Sequence, residues 1–427
     1  MFSLATGNKA LFLSRSRLLV AALLLGLFSA LCQAEPDDDL AYNLRYTVEL
    51  QPEKNRAWVV IRIDRSHLLR AMNFDARPEM YSNFKANGKF EIRDGRAYWE
   101  LPEEDARLTF YTKITRERDP GRYDARMTDD WAIFRGDNII PAAQTSEVPG
   151  AHAIATLRFQ LPDDWSVETG WPRKRGNTFR IDNPERLYDR PVGWMIAGKL
   201  GTRRTQVGNT SVAVSAPVGE KLRRMDALTF LTFVWPQVQK AFGQSPDKLL
   251  IVGAGDPMWR GGLSASNSLF LHADRPLVSE NGTSPLVHEI VHMVTRISGE
   301  KSKDHSEDWL AEGIAEFYSF ELIFRAGAMT PDRRDQIIKR LKKWSADVDL
   351  LRQPRSHGPI TAGAVVLLDE LDKEIRSKTS DKANIDDLVR LLIPIRKVSF
   401  EEFVKAAETV AGGKLKTLDT PLLRLPQ

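Results

Sequence analysis

The run His288-Glu289-Ile290-Val291-His292 constrains this chain of 427 residues more than any other stretch. Ser284 followed by Pro285 predicts the start of a helix just before it. A serine hydroxyl there accepts from an otherwise orphaned N–H, and proline lacks the N–H that a first helical turn cannot use. His288 and His292 then lie four apart on one helical face. Two neutral imidazoles at that spacing can hold one zinc ion, and Glu289 can reach the metal's water as general base. A catalytic zinc takes a third protein ligand and keeps a fourth position open. Glu312, separated from His292 by 19 residues, is the candidate for that ligand.

A second helix is predicted around Glu312, opening at Asp304 with Glu307 three residues on, the spacing of a capping box. Trp309, Leu310, Ile314 and Phe317 supply its apolar face, and Glu312 and Glu316 share a stripe at i and i+4. If the helices pack antiparallel across the loop from Ile297 to Lys303, Glu312 faces the histidines. Glu316 then lies one turn further, suited to accept the N–H of a ligating histidine. The alternative is a pair of solvated glutamates beside an accidental short pattern, and it makes the run Trp309-Leu310-Ala311-Glu312-Gly313 a coincidence.

The two segments HEIVH and DWLAEGIAEFYS together resemble the gluzincin metallopeptidases, most nearly the glycyl aminopeptidase family and more distantly the membrane alanyl aminopeptidases. That resemblance implies a thermolysin-like catalytic domain, one zinc ion and a peptide or protein substrate. It implies ligands at His288, His292 and Glu312, with Glu289 as the catalytic base. The spacer before Glu312 is one residue longer than in the alanyl family, and the addition falls between the helices. Gly261, Gly262, Leu263 and Ser264 match the family's substrate-binding G-G-L-E segment, with Ser264 where the glutamate stands. In the alanyl family the counterpart of that glutamate holds the substrate's amino terminus.

A second departure lies at Ile360, where the family carries a tyrosine that donates to the oxyanion. No tyrosine follows Tyr318, and His357 is the nearest substitute donor, unless it is simply a surface-loop histidine. Losing one oxyanion donor typically slows a reaction ~10²- to 10³-fold. Three readings of function stay open. They are a zinc peptidase, a weakened zinc-fold relative that binds or scaffolds in the cell envelope, and a hydrolase of a non-peptide amide.

Lys9, Arg15 and Arg17 precede the apolar run Leu18 to Leu31, and Cys32-Gln33-Ala34 is a small-residue exit. This is the pattern of a secretory signal peptide over residues 1–34. Its removal takes three basic residues from the 61 Lys and Arg and none of the 57 Asp and Glu, leaving +1. A near-neutral chain gives no electrostatic footprint for nucleic acid. Cys32 is the sole cysteine, so the mature chain holds no disulfide, which fits a bacterial periplasm. No stable membrane insertion is expected after leader removal.

The rest of the chain divides into an α+β arrangement of several domains. Period-two alternation at Tyr46, Val48 and Leu50, at Val59, Ile61 and Ile63, and at Leu157, Phe159 and Leu161 predicts an N-terminal antiparallel β-sandwich over residues 35–217. Residues 218–346 form the catalytic unit, with a helix from Leu222 to Phe242, a strand from Lys248 to Val252 and an edge strand before the zinc helix. A C-terminal helical region, 347–427, includes a core helix bearing Ala364, Leu367, Leu368, Leu371 and Ile375 on one face.

Overall fold

The computed structural model describes residues 38–182 and 188–426, so the leader lies outside the described residues. The first part of the chain builds sheets of seven, five and four strands. Strand Ala41–Gln51 turns Tyr42, Leu44, Tyr46, Val48 and Leu50 inward, as its alternation requires. It pairs antiparallel with Arg56–Ile63 and, on its other side, parallel with His152–Gln160. That parallel pair departs from the antiparallel expectation: the second partner is no hairpin neighbour but returns after the strands from Arg56–Ile63 to Ala143–Glu147 have been laid down. Met72, Phe74 and Trp99 of the four-stranded sheet and Phe134, Val167 and Met195 of the five-stranded sheet share one core with the large sheet.

A further five-stranded sheet supports the helices. Its order is Leu200–Val207, Thr210–Pro217, Lys248–Val252, Ser268–Leu271 and Gly262–Ala265. The hairpin from Leu200 to Pro217, placed with the sandwich by its sequence, is instead hydrogen-bonded in parallel to Lys248–Val252. Thr210–Pro217 is buried at nearly every position, as befits a strand covered on both faces. Trp194, Ile196 and Ile133 pack against Ala213, Leu250, Val252 and Phe270 on its back. Gly262–Ala265 forms the outer, antiparallel edge.

Helices α1 (Arg224–Phe242) and α2 (Pro285–Thr295) pack on the front of this sheet, and α3 (Asp308–Arg325), α4 (Pro331–Trp344), α5 (Pro359–Thr379), α6 (Ile385–Leu392) and α7 (Phe400–Ala411) build outward from them. Helix α2 starts as its sequence predicts, with Ser284 Oγ accepting from Val287 N at 3.2 Å. Helix α3 starts three residues later than predicted, with Glu307 and not Asp304 at its N-cap. Glu307 does not box the helix, because Arg352 binds its carboxylate at 2.9 and 2.6 Å and Trp309 Nε1 donates to it at 2.8 Å. Ser306 Oγ accepts from Asp308 N in its place. Gly313 lets α3 approach α5 closely, since a Cβ there would lie 2.7 Å from Ala364 Cβ.

Candidate metal centre

Helices α2 and α3 bring the predicted ligands together. His288, His292 and Glu312 each offer a ligand atom, and these atoms lie within 4.8 Å of one another. The two Nε2 atoms are 3.1 Å apart, and the Glu312 carboxylate oxygens lie 3.5 Å from His288 Nε2 and 3.6 Å from His292 Nε2. Ligands ~2.1 Å from one ion at tetrahedral angles sit ~3.4 Å apart, so this spacing fits zinc. Two imidazoles and one carboxylate are also a donor set that zinc accepts.

His288 Nδ1 lies 3.1 Å from Glu316 Oε2, so with Glu316 accepting, the lone pair of Nε2 faces the other ligands. Ser319 Oγ donates to the Glu316 carbonyl, and Ser284 N donates to the Ser319 carbonyl, tying the cap of α2 to α3. Burial alone would lower the His288 pKa, but Glu312 and Glu316 outweigh it and raise it to about 10. Burial likewise opposes ionisation of Glu312, yet the two histidines hold its carboxyl well below the usual range.

Glu289 faces the edge strand. A Cβ on Gly262 would lie 2.7 Å from Glu289 Cγ and 2.9 Å from its Oε1, so only glycine leaves room for this carboxylate. His272 N donates to the Gly261 carbonyl at 3.0 Å, which sets the ladder's phase. By antiparallel alternation Leu263 then bonds to Phe270, while the N–H and C=O groups of Gly262 and Ser264 turn toward the open edge. Leu263 O also accepts from Trp194 Nε1 at 2.8 Å, and the Trp259 ring covers Gly261. Gly262 and Ser264 share one side of the strand by its period of two.

His357 does not join this group. It is exposed, and its ring makes no hydrogen bond or ion pair among the described residues. Ile360 is buried in the first turn of α5, and the hydroxyl of Tyr318 is occupied by Asp386 at 2.6 Å. Sequence reasoning missed the clamp that sets α3: Glu307 with Arg352, and Asp308 Oδ2 accepting from Ser356 N at 3.1 Å. These partners lie 45 and 48 residues apart, beyond any local pattern.

No family model matches the chain, and no curated protein matches it. Solved structures do. An aminopeptidase N family protein from Idiomarina loihiensis superposes with a TM-score of 0.61 at 14% identity, covering 89% of this chain and 74% of that one. An M1 zinc metallopeptidase from Deinococcus radiodurans gives 0.55 at 17% identity, covering 91% and 94%. A variant of that enzyme bound to a Tyr-Ser-Ala substrate gives 0.55 at 16% identity. The chain therefore has the fold of the M1 zinc metallopeptidases.

Proposed function

We propose that this chain is a zinc-dependent peptidase. One observation carries the reading: three metal-compatible ligand atoms converge beside Glu289 and under a strand whose outer backbone groups are turned to the open edge. His288, His292 and Glu312 hold one zinc ion, which when bound supplies Lewis acidity. Glu316 keeps His288 in the tautomer that ligates. A peptide aligns along Gly262 and Ser264 by adding a strand to the edge, where main-chain hydrogen bonds grip an extended chain. Glu289 takes a proton from the attacking water and returns it to the departing nitrogen as the C–N bond breaks.

Export to a bacterial periplasm is part of the proposal, supported by the charge and apolar pattern of residues 1–34 and by a mature chain without cysteine. Among the described residues no helix is long and apolar enough to cross a membrane. Replacing Glu289 by Gln should leave zinc stoichiometry intact and lower peptide hydrolysis at least ~10²- to 10⁴-fold. Metal analysis and a peptide-library assay on both proteins decide it, and undiminished hydrolysis by Glu289→Gln would refute the mechanism. A second reading, a relative that binds without turnover, is favoured by the aliphatic Ile360 at the first turn of α5. Stoichiometric zinc without cleavage in the wild type would select it.

A further inference from the structure

We infer that Arg118, held on the ring of Trp259, selects peptides that present a carboxylate beside Gly261. The inference rests on the peptidase reading and adds to the same site a specificity residue and the substrate class it favours.

The two glycines at the start of the edge strand look in opposite directions. A Cβ on Gly262 would meet Glu289, whereas a Cβ on Gly261 would fall 1.7 and 2.0 Å from two carbons of the Trp259 ring. Glu289 and the metal ligands therefore lie on one side of the strand and Trp259 on the other. Residues directly opposite each other in a β pair share a face. A peptide added to this edge turns the side chain opposite Gly262 toward α2, and the next one, opposite Gly261, toward Trp259.

The wall on that second side comes from the N-terminal region. Tyr123, in strand Arg122–Met127, donates its N–H to the Pro257 carbonyl at 3.1 Å, and its own carbonyl accepts from Trp259 N at 2.8 Å. The paired strand Arg116–Asp119 then sets the guanidinium carbon of Arg118 4.2 Å from the centre of a Trp259 ring. The ring's quadrupole attracts the cation and orients it in advance, and the N–H groups in the guanidinium plane stay available to a carboxylate.

Arg118 is exposed and forms no ion pair among the described residues, with its neighbour Asp119 or any other acid. The acids around it have partners of their own. Glu117 Oε1 accepts from Gly121 N at 2.5 Å, and Glu220 Oε2 accepts from Gly255 N at 2.7 Å. Asp256 is bound by both Arg122 and Arg260, and Asp274 lies 3.9 Å from His272 Nδ1. The charge that Arg118 offers at this end of the strand is thus matched by an acidic side chain of the peptide or by its terminal carboxylate.

The test uses the full zinc-loaded Glu289→Gln chain and amidated peptides of one length, in which a single Glu moves along an otherwise neutral sequence and Gln is the reference. Fluorescence anisotropy should find a position where Glu binds about five- to tenfold tighter than Gln, with no gain at the two adjacent positions, which face α2. Adding Arg118→Gln should bring that ratio to within about twofold of one, while Lys89→Gln, the same charge change on the four-stranded sheet, should leave it. Neutral peptides with a free C-terminus, shortened one residue at a time, form the second arm. An Arg118-dependent gain there alone identifies the terminal carboxylate as the group recognised, and a gain in the amidated set identifies a side chain. No gain in either arm, a gain that survives Arg118→Gln, or equal loss with Lys89→Gln would overturn the inference. Failure of the wild type to cut peptides that bind would instead overturn the peptidase reading and leave the role of Arg118 in binding standing.

Discussion

Helix α3 carries two sets of acids that are treated in opposite ways. Toward its start, Glu312 and Glu316 are 33% and 23% exposed and meet only imidazoles, with no Lys or Arg pairing to either among the described residues. Toward its end, Glu321 is 8% exposed and bound by Arg325 at 2.9 Å and by Arg334 at 2.6 Å. Arg325 goes on to Asp386 and Arg334 to Asp369, which also holds Lys373. Three acids there face three bases, and Tyr318 donates to Asp386 as well. The second cluster is neutral within itself and locks α3 to α4, α5 and α6. The first has only imidazoles for partners among the described residues, the donor set of the proposed zinc site, so the same helix ends in a structural joint and begins at the candidate metal centre.

Changes to either cluster should keep these roles apart. Arg325→Met leaves Asp386 buried without its main counter-charge and should destabilise the fold by about 3 to 5 kcal/mol, read by urea denaturation. The folded fraction should still take up zinc stoichiometrically; loss of zinc from folded protein would merge the two clusters into one unit. Glu316→Gln should do the reverse, weakening zinc affinity ~10- to 100-fold in competition with a chelator while leaving the metal-free melting temperature almost unmoved.

The smallest expected effect lies at Lys248. Burial, with help from Arg173 and Arg204, pulls the Lys248 pKa down to about 8 against the attraction of Glu168. Its folded pKa is thus below its unfolded value of 10.5, and between the two the unfolded chain binds more protons. The cost of the buried charge is complete below about pH 8 and is relieved as pH rises toward 10.5. Lys248→Met should therefore be more stable than wild type at pH 7, by at most about 3 kcal/mol, with the gap closing through that window. Calorimetry at pH 7, 8.5 and 10 on both proteins would check the trend, and a gap independent of pH would refute it.

The metal end was far more legible in the sequence than the joint. Ser284, Pro285 and the i, i+4 histidines are local signals, and local geometry delivers them. Glu312 was found through a short run on the next helix. The start of α3 is not legible, because Asp304 and Glu307 have the spacing of a capping box while Arg352, 45 residues on, takes the glutamate. The place of the hairpin Leu200–Pro217 outside the N-terminal sheets is hidden for a related reason. Alternation tells which residues are inward, but only pairing with Lys248–Val252 tells inward to what.

The parallel pairing of Ala41–Gln51 with His152–Gln160 fixes an order of events in folding. Ala41 opposes His152, so 111 residues separate the first strand from its second neighbour. The hairpin with Arg56–Ile63 can close early, but the other side of the first strand stays an unpaired edge until residue 160 has been made. Closing so long a loop is slow, and an open interior edge is a template for pairing between chains. Fragments ending before His152 should therefore aggregate where the whole chain does not, and the pairing of Ala41–Gln51 with His152–Gln160 should become protected from hydrogen exchange later than its pairing with Arg56–Ile63.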